Sequence, residues 1–317
     1  MSEAGEKIMS MVAEAGVVAI AGHVNPDGDA IGACYAMAMS AAKMWKSVFV
    51  FLDDYSGIFD CIPGRDFRFT GGIESVMPDI FIALDCGSID RLGRFGELFG
   101  RSAVTVNIDH HASNTYFAEH NLVEEDASST CQIIFDLINM YVPIDAEIAA
   151  ALYAGLLYDT GGFRHRNTTA KAHEVAGRLI GVGFDHSGIY NELMHVRSER
   201  EAKCFGKALG NIKVTGDGRI ASCHLTAREL TELGATGRDL EGIAEYLLGI
   251  RGAEASVFAY ARGENETKFS FRSKNIDVGK IARELGGGGH VNAAGAYVAG
   301  GAEEAERRAV EILTQRL

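Results

Sequence analysis

VVAIAGHVNPDGDAIGACYAMAMSAAKMW, residues 17–45, begins as an apolar run, crosses a short polar loop and continues as a stretch of Ala, Met and small residues. Residues 17–22 read as a strand buried on both faces, as in parallel sheets, and residues 28–45 as a helix packed on that sheet. Met37, Met39 and Met44 then serve as core filler, the usual use of a flexible thioether side chain. Between strand and helix, His23, Asp27 and Asp29 crowd into seven positions, where two carboxylates repel each other unless something cationic lies among them. The same strand pattern returns at 47–52 (SVFVFL), 79–84 (DIFIAL) and 103–108 (AVTVNI), and helices are expected over 126–140, 145–158 and 168–180. Strands alternating with helices predict an α/β domain, a parallel sheet with helices on both faces.

Past this domain the pattern changes. Residues 191–209 (NELMHVRSEREAKCFGKAL) are helical in pattern and strongly charged, as suits a connector. Strands then follow at 211–215, 219–225, 254–261 and 266–272, with helices near 239–247, 277–285 and 302–316, which predicts a smaller α+β domain. The expected organisation is therefore a first domain over 1–190, a helical linker over 191–209 and a second domain over 210–317. A chain of 317 residues, 47% hydrophobic, is long enough for two cores.

The formal charge of −13 is uneven: residues 1–205 hold 15 Lys and Arg against 28 Asp and Glu, whereas 206–317 hold 15 against 15. An acidic first part argues against clamping duplex DNA, which needs a basic face. It accommodates a short anionic substrate if cations are bound among the acids. No apolar stretch approaches the roughly 18 residues of a membrane span, and residues 1–16 lack the basic start and long apolar region of a signal peptide; a cytoplasmic protein without a membrane partner is expected. The six cysteines are scattered with no CxxC pair, so they read as reduced and structural rather than as a zinc site or disulfide framework.

Three of the predicted strands end in metal-ligating residue types: His23, Asp27 and Asp29 after the first, Asp85 in IFIALDCGS, and Asp109, His110 and His111 in VTVNIDHH. Ligand sites of open parallel sheets form outside the carboxyl ends of the strands. Asp159, in AALYAGLLYDTGGF, sits where a helix meets a glycine stop, and the negative helix end favours a nearby cation. Taken singly, each Asp has a role as turn or cap. Taken together, four carboxylates within a few ångströms push one another toward neutrality, whereas two divalent cations cancel their charge. Imidazole and carboxylate donors without thiolates favour Mn²⁺, with Mg²⁺, Co²⁺ or Fe²⁺ as alternatives. Two such ions about 3.5–4 Å apart are suited to phosphoester hydrolysis.

These residues also carry a resemblance. HVNPDGDAIG, ALDCGS, DHHASN with DASST seventeen residues after Asp109, and LLYDTGGFRHRNTT resemble the ordered motifs of the DHH phosphoesterase superfamily. RSKNIDVGKIARELGGGGHVNAAG is similar to that family's DHHA1 substrate domain. Within the superfamily the chain looks most like the stand-alone, NrnA-like oligoribonuclease and pAp-phosphatase group. The resemblance implies two Mn²⁺ per site, one held by His23, Asp27 and Asp85 and the other by Asp29, Asp85, His110 and Asp159. It further implies that His111 faces the scissile phosphate as a donor or acid and that Asp109 orients a ligand histidine. Asn25 touches phosphate or shapes its loop. In the second domain Gly287, Gly288, Gly289 and His290 would bind phosphate, the glycines through backbone N–H groups at a helix end, and Arg272 would pair with a terminal phosphate or stack on a base. Val291 stands where the family often has Lys, which removes one phosphate contact.

The implied activity is hydrolysis of very short single-stranded oligonucleotides from an end, with 3′-phosphoadenosine 5′-phosphate (pAp) as a further substrate and a homodimer as a compatible assembly. A cyclic-dinucleotide phosphodiesterase would use the same residues. An inorganic pyrophosphatase of the family carries a Ser-Arg-Lys-Lys signature where this chain has GGGGH, and a non-catalytic nucleotide-binding relative would be expected to lose a ligand, whereas none of the six is missing.

Overall fold

The computed structural model describes residues 2–263 and 265–317, and the chain divides into two compact units, Met1–Val196 and Arg197–Leu317. In the first, parallel strands β1 (Val17–Ala21), β2 (Ser47–Phe51), β3 (Ile80–Leu84), β4 (Val104–Asp109) and β5 (His120–Val123) lie in the order β2-β1-β3-β4-β5. The first four fall on the four apolar runs. β5 was not anticipated, because of its residues only Leu122 is buried and so no apolar run marks it. In this order the winding reverses between β1 and β3, which leaves a crevice outside the carboxyl ends of these neighbours.

Helices α1 (Glu3–Glu14), α2 (Gly28–Lys43), α3 (Gly96–Gly100), α4 (Thr130–Ile138), α5 (Ala146–Asp159), α6 (Ala170–Ile180) and α7 (His186–Met194) cover this sheet. Val18, Ile20, Val50, Ile80, Ile82 and Leu84 face a core shared with α1, α2, α4, α5 and α6. The alternate residues Ala19, Ala21, Phe51, Phe81 and Ala83 face a thinner core closed by α3 and the turn carrying Leu92 and Phe95. Burial on both sides is why these strands read as continuous apolar runs. α2 and α5 approach closely through glycine: a Cβ at Gly28 would lie 2.7 Å from the Tyr158 side chain, and one at Gly32 would lie 2.5 Å from the Ala151 carbonyl oxygen. That contact sets the first turn of α2 beside the last turn of α5.

The segment 191–209 is not one connector. Its first residues end α7, and the rest form α8 (Glu199–Gly210) in the second unit, started by a capping box in which Ser198 and Glu201 satisfy each other's backbone N–H groups. The second sheet has the order β10-β11-β9-β8-β7-β6, with β6 (Lys213–Thr215), β7 (Ile220–Leu225), β8 (Ala255–Ala261), β9 (Glu266–Ser273), β10 (Gly288–Gly289) and β11 (Ala293–Ala299). Among the described residues of this second sheet only β7 and β8 pair in parallel. α11 (Val278–Glu284) and α12 (Ala302–Thr314) pack on the face of Val257, Phe269 and Phe271; α8 and α10 (Ile243–Leu248) pack on the face of Cys223 and Phe258, with the short α9 (Ala227–Leu233) alongside. No helix among the described residues is long and apolar enough to cross a membrane. The six cysteines form no disulfide, and all but Cys61 are buried.

Candidate metal centre

Each strand of the crevice delivers a ligand-type side chain as it ends. After β1 the chain turns through Asn25, whose φ of 54° is a left-handed conformation that Asn tolerates. Asp27 then caps α2, its Oδ1 accepting from the N–H groups of Asp29 and Ala30 at 3.0 and 3.2 Å. His23 is turned toward the crevice because its Nδ1–H donates to the Val24 carbonyl at 2.9 Å, which leaves Nε2 pointing at Asp85 (3.5 Å) and Asp27 (3.8 Å). After β3, Asp85 has φ of 59°, and its two carboxylate oxygens face different histidines: Oδ2 faces His23, and Oδ1 faces His110 at 3.6 Å. His110, after β4, is braced by Nδ1 against the Ala127 carbonyl at 3.3 Å and reaches Asp159 with Nε2 at 3.5 Å.

Three triads result: His23, Asp27 and Asp85; Asp29, His110 and Asp159; and Asp85, His110 and His111. In each, one ligand atom per residue lies within 4.8 Å of the others. The nitrogen–oxygen separations of 3.5–3.8 Å exceed hydrogen-bond length. They suit donors that share a cation at about 2.0–2.2 Å from each.

The electrostatics point the same way. Asp29 is fully buried, and burial together with Asp85 and Asp159 pushes its carboxyl well above the usual carboxylate range. Burial, then Asp85 and Asp27, push Asp159 up to about 7. Burial opposes a charge on His23, but the carboxylates of Asp27 and Asp85 that face its Nε2 outweigh it and lift the imidazole to about 10. The crevice draws positive charge to its nitrogens and resists more negative charge on its oxygens, the condition that divalent cations relieve. Burial also pushes the neighbouring Cys34 and Cys131 thiols up, so the donors are imidazole and carboxylate. The residues present fit divalent cations.

Asp109 departs from expectation. Its Oδ1 accepts the His110 backbone N–H at 2.8 Å, but the ring it holds is that of His111, at 2.7 Å from Nδ1. It therefore orients the second histidine of the motif, whereas the first is braced by a carbonyl. His111 is half exposed; the Asp109 hydrogen bond, opposed by burial and aided by Asp85, raises it to about 9. Burial would raise Asp109, but hydrogen bonds from His111 and Asn114 hold it below the usual range.

Three residues around the centre went unremarked in the sequence. Asn114 donates to Asp109 Oδ2 at 2.6 Å and to Asn107 Oδ1 at 2.8 Å. Asn167 donates to the Asp159 carbonyl at 3.2 Å. Thr130 donates to Asp85 at 3.0 Å. All lie inside the quoted motifs DHHASN, LLYDTGGFRHRNTT and DASST, and membership of those motifs was the available signal. In LLYDTGGFRHRNTT, Thr169 caps α6, its side chain accepting from the Ala172 N–H.

In the second unit the glycine run closes the end of α11, as expected, and then continues into a short strand. After α11 the chain turns at Gly286 (φ 78°), and Gly288 and Gly289 pair with Gly295 and Ala294 in a hairpin. A Cβ on Gly287 would collide with the Gly295 carbonyl oxygen, so close packing of backbones requires glycine there. The N–H groups of Gly286, Gly287 and His290 already donate to Arg283, Ala282 and Ala293. The side chain of His290, which follows the paired glycines, is exposed. Arg272, on β9, borders a cavity of about 360 Å³ that is also lined by Phe258, Tyr260, Lys268 and Ser270.

Comparison with known proteins adds independent findings. The DHH family, N-terminal domain, matches residues 17–156, and the DHHA1 domain matches 220–317. A Thermus thermophilus protein named bifunctional oligoribonuclease and PAP phosphatase NrnA is 31% identical over 98% of this chain and 94% of its own length. Among solved structures, an exopolyphosphatase-related protein from Bacteroides fragilis superposes with a TM-score of 0.90 at 25% identity, covering 99% of this chain and 98% of that one. RecJ from Thermus thermophilus, solved with Mn²⁺, shares the fold at a TM-score of 0.57 and 16% identity, over 99% of this chain and 54% of its own.

Proposed function

This chain belongs to the DHH family of phosphoesterases, and from that premise we propose that it hydrolyses short oligonucleotides to mononucleotides, and pAp to AMP, with two divalent cations in the crevice of the first unit. The observation that carries the reading is Asp85, whose two oxygens face the histidines of two different triads. Mn²⁺ is the ion the donor set favours. Bound there, two such ions would supply an activated water and charge stabilisation for displacement at phosphorus.

The chain's own groups do the rest. His23, Asp27 and Asp85 would hold one ion, and Asp29, Asp85, His110 and Asp159 would hold the other. His111 is kept protonated near neutral pH by Asp109, so its imidazolium can bind a phosphate oxygen or give its proton to the departing one. Asn114 fixes Asp109 and thereby the ring. Arg272, His290, Gly288 and Gly289 bind the substrate phosphate or base away from the reacting bond. The name of the Thermus thermophilus relative supports both substrates.

The test is a comparison of rates on a labelled linear dinucleotide, a longer RNA, pAp, a cyclic dinucleotide and pyrophosphate, each with Mn²⁺. The dinucleotide and pAp should be consumed fastest. Fastest loss of pyrophosphate or of the cyclic dinucleotide would overturn the substrate assignment.

A further inference from the structure

We propose that Thr130 is a positioning residue that sets the plane of the Asp85 carboxylate so that its two oxygens serve two ions at once. Asp85 directly follows β3 with a left-handed backbone, a conformation that few non-glycine residues adopt. Its own N–H is tied to the Ile108 carbonyl at 3.0 Å. The carboxylate must nonetheless present Oδ2 toward His23 and Oδ1 toward His110, at 3.5 and 3.6 Å. Rotation about the last side-chain bond would withdraw both oxygens together. The Thr130 hydroxyl, 3.0 Å from Oδ1, is the one hydroxyl or amide donor recorded on this carboxylate among the described residues, and both residues are buried.

The same residue also acts on the second triad. The Thr130 N–H donates to Asp29 Oδ2 at 2.6 Å, and the Cys131 N–H donates to Asp29 Oδ1 at 2.9 Å. The start of α4 therefore grips two carboxylates that arrive from β3 and α2. Asp29 is held by main-chain groups that any residue supplies, whereas Asp85 is held by a side chain. Ser129 caps the helix through the Gln132 N–H, so the Thr130 hydroxyl is spared that duty. Outer partners that orient metal ligands typically contribute about 10- to 100-fold in metal affinity.

This inference rests on the two-ion reading, and the experiment separates them. Metal-free wild type, T130V and T130S are titrated with Mn²⁺ by calorimetry and by loss of the free-ion electron paramagnetic resonance signal, with circular dichroism as a check of folding. Wild type should bind two ions; T130V should bind at least one of them about 10- to 100-fold more weakly, and T130S, which keeps the donor, should stay within about 3-fold of wild type. Wild-type affinity in T130V, or an equal loss in T130S, would overturn the positioning role. Failure of wild type to bind two ions would instead overturn the two-ion reading. Should T130V not fold, T130S and T130A make the same comparison, since both lack the methyl group and only serine donates; equal affinities would refute the proposal.

Discussion

Removing divalent cations from the protein with a chelator and then raising the pH from 5 to 8 should destabilise the first unit. The reason lies in groups whose folded values are raised. Asp159 moves from 3.8 to about 7, so the folded state binds more protons than the unfolded chain between those values, and stability is lost as the pH climbs through that window. His23 moves from 6.5 to about 10, so its contribution is complete below pH 6.5 and is lost progressively above it. At about 1.4 kcal/mol per pH unit, Asp159 accounts for roughly 3 kcal/mol between pH 5 and 7, and His23 for roughly 2 kcal/mol between pH 6.5 and 8. Both respond to Asp27 and Asp85, so their effects overlap, and about 2–3 kcal/mol is the expected net loss. For a unit of this size that is a fall of about 5–10 °C in apparent Tm. Thermal melts followed by far-ultraviolet circular dichroism, at pH 5 and 8, with chelator or with Mn²⁺, measure it. Mn²⁺ should raise Tm far more at pH 8, because it takes the place of the protons. A chelated protein as stable at pH 8 as at pH 5, or an equal Mn²⁺ effect at both, would refute the electrostatic argument for the centre.

Other outcomes follow from the geometry. D85N keeps the shape of the shared side chain and an acceptor for Thr130 but removes the charge facing both histidines; hydrolysis should fall by at least about 10³-fold, and turnover within tenfold of wild type would exclude a shared ligand. H111Q should lower kcat by about 10²- to 10⁴-fold while Mn²⁺ still binds in calorimetry; loss of metal binding instead would make His111 a ligand. H290A should raise KM for a dinucleotide more than for a small generic phosphodiester, and equal changes on both would remove the second unit from substrate binding.

Much of the centre was legible because ligand residues follow strand ends, and strand ends are marked by apolar runs that stop. His23, Asp85 and His110 converge for that reason, since β1, β3 and β4 are neighbours in one parallel sheet. Asp159 was legible from the glycines that stop α5. Two features had no such mark: the polar edge strand β5, and the glycine run, whose last two residues, Gly288 and Gly289, pair in a hairpin because Gly295 and Ala294 lie opposite.

The local pattern of residues along the chain was enough to predict an α/β first domain, candidate ligand residues where its strands end and the need for positive charge among them, since strand periodicity and the crowding of carboxylates are properties of neighbouring residues; the choice of six among those candidates came from the family resemblance. Which histidine Asp109 holds, and which hydroxyl holds Asp85, depended on the folded chain. The first turns on how His110 and His111 rotate after β4, and the second joins residues 45 positions apart. Such hydrogen bonds exist only once α4 has been packed against the ends of the strands, so nothing in the spacing of residues along the chain could have announced them.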